Sequence, residues 1–197
     1  MKYVMFFGSI GVGKTTTGTK IADLLDASFI AEDLSGNRFL SKFYADMKEY
    51  AFKSTVEMLS LMAKNYGKID KNKKIAILDN GVEELICYNR FMLKNGTLTE
   101  DEFSVYYSLY SSLVNALPKT DLHVYFKCSI QTQLKRISER NRAFEGGIDE
   151  KFLQNLNAEY ENYVNSLPKD KLIVIDTENG VDIQKLAKEI KLKLKIN

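Results

Sequence analysis

The octapeptide Gly8-Ser9-Ile10-Gly11-Val12-Gly13-Lys14-Thr15 constrains this chain more than any other feature, because it fits G-x-x-x-x-G-K-[ST] at every fixed position. The motif works in one context only. It must leave a buried strand and enter a helix, so that successive backbone N–H groups point into one concavity at a helix N-terminus. Both flanks are present: residues 2–7 are an apolar run, and residues 14–25 have helical spacing. Such a turn gathers the phosphates of a nucleoside triphosphate such as ATP. Backbone amides from Gly8 to Thr16 cradle them, Lys14 reaches the β- and γ-phosphates, and the Thr15 hydroxyl sits on Mg²⁺. The motif by itself does not separate a kinase from an ATPase or a GTPase, although no N-K-x-D sequence is present to read guanine.

Beyond the loop, short apolar runs at 2–7, 28–31, 74–78, 122–127 and 171–175 alternate with helical patterns at about 14–25, 39–65, 81–95, 100–117, 130–140, 149–166 and 182–195. The runs are near-continuous, as strands buried on both faces are. The expected fold is therefore α/β: a P-loop NTPase-type, three-layer arrangement with a five-stranded parallel sheet and helices on both faces. Thr99 with Glu102 makes a capping box, and Pro118 closes the same helix. With no repeat, low-complexity tract or linker, residues 1–197 are expected to form one domain.

Composition removes several function classes. Lys plus Arg number 28 against 26 Asp plus Glu, a net charge of +2, which is not the footprint of a protein that coats nucleic acid. No run approaches the ~20 apolar residues that cross a bilayer. The apolar start runs straight into the glycine turn rather than a cleavage site. Cys87 and Cys128 are too few and too far apart for a disulfide framework or a zinc site. A soluble protein of the cytoplasm is expected.

Parallel sheets of this kind work at the carboxyl ends of their strands. Asp79 ends the third run and Glu32 follows the second. Asp79 is placed to hold Mg²⁺ with Thr15, or to cap the helix from Gly81 onward, or both. Glu32 can take a proton from an attacking hydroxyl, or be a solvated loop acid beside Asp33. Arg136, Arg140 and Arg142 form R-x₃-R-x-R ahead of Gly146-Gly147. Guanidiniums so clustered can clamp a transferring phosphoryl group from a closing lid, or be a basic helix face beside Glu139 and Glu145. His123, inside an apolar run, reads as structural. The series Phe103, Tyr106, Tyr107, Tyr110, Leu113 and Leu117 reads as core or subunit interface.

Together these pieces resemble the deoxynucleoside kinase family, P-loop enzymes that phosphorylate the 5′-hydroxyl of deoxynucleosides, from the loop to about Val164. Phe39-Leu40-Ser41-Lys42-Phe43-Tyr44 through Tyr50-Ala51-Phe52 is similar to the family's F-x-x-x-[FM]-Y…[WY]-[AS]-F segment, and Pro118-Lys119-Thr120-Asp121-Leu122 to its P-x-P-D-L. The run from Arg136 to Arg142, with Glu145 and Gly147-Ile148, is similar to its arginine lid, here about 136–148. Phe152-Leu153-Gln154-Asn155-Leu156-Asn157 matches Y-L-x-x-L-[NH]. The resemblance implies that Glu32 is the base on the 5′-hydroxyl and that Tyr44 and Glu145 hold the sugar 3′-hydroxyl. It implies that Arg136, Arg140 and Arg142 act on the donor phosphates, with Lys14, Arg136 and Arg140 stabilising the transferring group. A homodimer built through the helices at 81–95 and 100–117 is implied as well.

The chain departs from the family where the acceptor is read. Asp79-Asn80-Gly81 stands in place of [DE]-R-S, so the carboxylate is kept and the arginine is not. Thr55 occupies the position of the base-reading glutamine, and Met62 and Leu85 stand where Arg and Asp are frequent. The expected activity is ATP-dependent phosphorylation of a deoxynucleoside with altered base preference. Two alternatives remain at this point. One is a thymidylate-like nucleoside monophosphate kinase, with Arg38 and Arg90 available for the acceptor's phosphate. The other is a nucleotide-binding accessory subunit that has lost catalysis.

Overall fold

The computed structural model describes residues 1–142 and 145–196. Residues 143 and 144 of the expected lid and residue 197 of the expected domain lie outside the described residues. Five strands, β1 (Lys2–Phe7), β2 (Ser28–Ile30), β3 (Ile75–Asp79), β4 (Leu122–Lys127) and β5 (Leu172–Asp176), form one sheet in the order β2-β3-β1-β4-β5. Every pairing is parallel. The helices are α1 (Lys14–Leu25), α2 (Leu40–Ala45), α3 (Met47–Asn65), α4 (Leu85–Lys94), α5 (Glu100–Ala116), α6 (Ile130–Arg140), α7 (Glu150–Ser166) and α8 (Ile183–Leu194). The α/β architecture read from the apolar runs is the one observed.

Side-chain alternation along the central strand builds the three layers. Val4 and Phe6 of β1 pack with Ile75, Ile77, Val124 and Phe126 against α1 and α8, through Ile21, Leu186 and Ile190. Met5 and Phe7 point the other way, into a second core formed with α3, α4, α5 and α7 through Leu59, Phe91, Tyr106 and Leu156. All four of these β1 side chains are buried. Each contributes on the order of 2 kcal/mol of transfer free energy, so the central strand is held from both sides.

Two helical patterns differ from the expected ones for local reasons. The pattern at 39–65 is two helices, because Asp46 turns extended (φ −144°, ψ 90°) and its carboxylate caps α3 by accepting from the Glu49 N–H. The pattern at 81–95 begins as a 3₁₀ turn, Val82–Glu84, and α4 starts only at Leu85. Gly81 is extended there and lies so close to Met5 that a Cβ would stand 2.9 Å from its sulfur. The strands near 28, 74 and 171 end or begin one residue away from the expected limits. The capping box of Thr99 and Glu102 is present on α5.

The strand order reverses around β1: β3 lies on one side of it and β4 on the other. A sheet opens a crevice beyond its strand ends at such a switch point. Register puts Phe6 opposite Asp79 and Phe7 opposite Tyr125, so the loop that leaves β1 emerges directly beside the end of β3.

Candidate active site

The loop from Gly8 to Gly13 turns through three left-handed glycines: Gly8 (φ 140°), Gly11 (φ 80°) and Gly13 (φ 87°). Two of them are also pinned by close approach. A Cβ on Gly8 would lie 2.3 Å from the Phe126 carbonyl oxygen of β4, and one on Gly11 would lie 2.9 Å from the Gln133 carbonyl oxygen of α6. Side chains at these positions would force the loop off the sheet. Lys14 folds back over the concavity, and its Nζ donates to the carbonyls of Gly8 (2.7 Å) and Ser9 (2.9 Å). The loop and the start of α1 line one wall of a cleft of about 660 Å³.

The Thr15 hydroxyl donates to Oδ2 of Asp79 in a short contact, while Oδ1 of Asp79 is buried and has no hydrogen-bond partner. Asp79 is 1% exposed. Burial pushes its carboxyl above the ordinary carboxylate range, with the Lys14 ammonium and the Thr15 hydroxyl acting against that. An alcohol and an orphaned carboxylate oxygen side by side suit Mg²⁺, which keeps few protein ligands and takes the rest from phosphates and water. Among the described residues no group of three His, Cys, Asp or Glu is placed to hold a metal ion.

Glu32 lies just past β2 and lines the same cleft. Burial raises its pKa, opposed first by Lys14; Asp79 raises it further and the Asn80 side chain lowers it. Asn80 itself takes a left-handed conformation (φ 59°), which asparagine tolerates. Its N–H donates to the Phe6 carbonyl (2.9 Å), and its Oδ1 is buried without a partner.

The three arginines divide. Arg136 is spent on structure around the loop: its guanidinium donates to the Thr177 carbonyl (2.6 Å), to the Thr177 hydroxyl (3.0 Å) and to the Gly11 carbonyl (3.4 Å). Thr177 in turn donates to the Val12 carbonyl at 2.9 Å. Arg140 instead makes a two-pronged contact with the buried carboxylate of Glu145 (2.7 and 3.2 Å), and Arg142 reaches it at 3.5 Å. The sequence grouped all three on the donor phosphates. The fold brings all three to the cleft but gives Arg136 different partners. Thr177, a lone threonine after β5, carried no signal beyond its position at a strand end.

The opposite end of the cleft is lined by α2, α3, α4 and α7. Tyr44 is there, its hydroxyl 3.4 Å from that of Tyr88, and burial raises its pKa to about 12. Thr55 donates to Asn89 Oδ1 (2.7 Å), and Asn89 Nδ2 donates to the Leu85 carbonyl (2.9 Å). Leu85 lines the cleft, whereas Met62 is in the core. Glu84, which sequence reasoning passed over for its neighbour Leu85, also faces the cleft. It is 3% exposed, and Tyr160 Oη donates to its Oε2 at 2.7 Å. The 3₁₀ turn causes this: it aims Glu84 inward and sends Glu83 toward His123, 3.9 Å away.

Against known proteins, the Deoxynucleoside kinase family model matches residues 5–196. A deoxyguanosine kinase of Bacillus subtilis (strain 168) is 28% identical over 202 residues, covering 96% of this chain and 96% of the relative. A deoxyadenosine kinase of Dictyostelium discoideum is 26% identical over 190 residues, covering 96% of this chain and 78% of the relative. The structure of a deoxyadenosine kinase from M. mycoides with dCMP and a flexible dCDP superimposes with TM-score 0.83 at 26% identity, over 98% of both chains. The same M. mycoides enzyme with dATP gives 0.82 at 25% identity, over 99% of this chain and all of that one.

The buried carboxyl of Glu84 has a signature in stability. Burial pushes it up to about 8, with Lys14 and Tyr160 pulling the other way, against 4.5 in the open chain. Between those values the folded state holds a proton that the unfolded state has released. Stability therefore falls as pH rises, by ~1.4 kcal/mol per unit for one group. Burial lowers His123 from 6.5 to about 4, so it has the opposite slope below pH 6.5. From about pH 6.5 to 8 the Glu84 slope is no longer offset by His123. Thermal unfolding over that interval is expected to fall less steeply in Glu84→Gln than in the wild type; equal slopes would contradict the assignment.

Proposed function

This chain belongs to the deoxynucleoside kinase family, and we propose that it transfers the γ-phosphoryl group of ATP to the 5′-hydroxyl of a deoxynucleoside through the residues of this cleft. The observation that carries the reading is one continuous cleft with a phosphate cradle at one end, the Glu32 carboxyl within reach of Lys14, and a wall bearing Tyr44, Tyr88 and Tyr160 beyond it. That shape suits two ligands meeting end to end. The backbone amides of the loop and the α1 N-terminus would hold the donor phosphates, and Lys14 would exchange its loop carbonyls for phosphate oxygens. Thr15 and Asp79 would hold Mg²⁺, which when bound neutralises phosphate charge.

In the transfer itself the acceptor 5′-oxygen forms a bond to the γ-phosphorus as the bond to the β-phosphate bridging oxygen breaks. The hydroxyl proton passes to Glu32. Its raised pKa in the cleft suits a group that must be ionised to take a proton and then hold it. Arg140 and Arg142 would turn from Glu145 toward the developing charge when a nucleotide enters, freeing Glu145 for the sugar 3′-hydroxyl beside Tyr44. Arg136 would keep the loop in shape through Thr177. Thr55 would face the base.

The monophosphate kinase alternative needs cations for an acceptor phosphate. Arg38 is exposed and paired with Glu57 at 2.6 Å, and Arg90 is not among the cleft-lining residues, so neither supports it. An accessory subunit without catalysis would not need Lys14, Thr15 and Glu32 assembled in the cleft with Asp79 bonded to Thr15 behind them. Both thiols are free, which supports a reducing, cytoplasmic setting. We also read the chain as a homodimer formed through α5. Val105 and Leu109, one turn apart on that helix, are 53% and 45% exposed, and Tyr107 is 46% exposed.

Two measurements test this. Transfer of labelled γ-phosphate from Mg·ATP to the common deoxynucleosides is expected for the wild type. Glu32→Gln should lower kcat by ~10²- to 10⁴-fold with ATP binding kept; turnover of monophosphates alone would contradict the reading. Sedimentation is expected to give a dimer that Leu109→Glu converts to monomer, and a monomeric wild type would remove the interface.

A further inference from the structure

We propose that Asn80 is a positioning residue for the transfer: its side-chain amide donates to the Glu32 carboxylate and holds that group in place to take the acceptor's proton. The inference rests on the kinase reading above, in which Glu32 is the base, and adds the residue that orients it. Its starting observation is how β2 and β3 leave the sheet. Their parallel register pairs Phe29 with Ile77 and Ile30 with Leu78. Continued two residues past the last pair, the same register sets Glu32 opposite Asn80. The two segments stay together there, because the Asp79 carboxyl takes a hydrogen bond from the Glu32 backbone.

Asn80 is built into that position from the other side. Its N–H donates to the Phe6 carbonyl of β1 at 2.9 Å, and its backbone turns left-handed (φ 59°) as β3 ends. It is 8% exposed and lines the cleft beside Glu32. Its side chain hydrogen-bonds the Glu32 carboxyl. Oδ1 is buried with no partner, so the bond runs from Nδ2, and the amide is the donor. Glycine is the ordinary occupant of a left-handed turn. An asparagine there meets the same backbone demand and adds a donor, which the turn alone does not need.

The charge around Glu32 gives that donor its work. A neutral amide stands where the family resemblance places an arginine, so the end of β3 brings Glu32 no cation. Lys14 of α1 and Arg142 beyond α6 favour the ionised carboxylate, and Asp79 of β3 opposes it. Tyr44 of α2, Tyr88 of α4, Tyr160 of α7 and Glu84 of the 3₁₀ turn also face it, and none of these is a cation. Burial prevails and leaves the Glu32 pKa raised. A hydrogen bond donated to the charged form works against that rise. It also fixes the direction of the carboxylate, which a point charge such as the Lys14 ammonium does not.

The test is the pH profile of kcat and kcat/KM with Mg·ATP and a deoxynucleoside, from about pH 5 to 9, for the full chain, Asn80→Gly and Asn80→Asp. Glycine and aspartate both accept a left-handed backbone, so each variant keeps the turn and removes the amide donor. Thermal unfolding checks that both fold. Glu32 acts when ionised, so activity rises with pH through its pKa, and losing the donor raises that pKa. Asn80→Gly is therefore expected to move the acid limb up by about one pH unit and to lower kcat about ten- to a hundredfold on that limb, with the Kd for ATP unchanged. Asn80→Asp sets a second carboxyl beside Glu32 and should move the limb further. A folded variant of either kind with the wild-type kcat and pH profile overturns the assignment and leaves the kinase reading intact. So does a loss of thermal stability without a moved limb, which would make Asn80 a turn residue only. Turnover of no nucleoside by the wild type overturns both.

Discussion

The loop after β1 is held against β4 by a contact with no room in it: the Gly8 Cα faces the Phe126 carbonyl so closely that a Cβ would stand 2.3 Å from the oxygen. Everything else in the cleft is registered from that point. The loop's left-handed turns let α1 begin at Lys14 with its N–H groups facing the concavity, and they bring Thr15 onto Asp79 of β3. Behind the loop, Arg136 and Thr177 bond to the carbonyls of Gly11 and Val12, so α6 and the end of β5 brace the same turn. A phosphate cradle needs preorganised amides, and these contacts supply the preorganisation before any ligand arrives.

Charge in the cleft is arranged around an absence of compensation. Asp79, Glu32 and Glu84 all have carboxyls raised by burial, and Lys14 is the leading opposing charge for each. One ammonium shared among three acids leaves room for added cations near Asp79 and added protons near Glu32 and Glu84. Arg140 and Arg142, meanwhile, rest on Glu145. The arrangement is stable as it stands yet only partly satisfied, the condition in which a charged ligand gains most from entering.

Much of this was legible in the sequence, for identifiable reasons. The loop is legible because backbone geometry demands glycine and phosphate demands lysine, leaving few substitutes. The sheet is legible because strands buried on both faces cannot alternate in polarity. Asp46 was lost in the pattern at 39–65 because an N-cap in mid-pattern looks like one more polar residue of a helix face. Arg136 and Arg140 were indistinguishable by spacing, one turn apart on one helix, and only the tertiary partners Thr177 and Glu145 separate them. Glu84 was hidden by the 3₁₀ turn, whose register differs from the helix that the spacing suggested.

The central claim is that donor and acceptor occupy one cleft end to end, and a single ligand can span it: adenosine joined to a deoxynucleoside through a polyphosphate bridge. Titration calorimetry of this compound with Mg²⁺ is the most direct test. The account predicts one molecule bound per chain at least ~10²-fold tighter than ATP, because the second half binds as an intramolecular event. Binding no tighter than ATP, or two molecules per chain, would contradict a shared cleft.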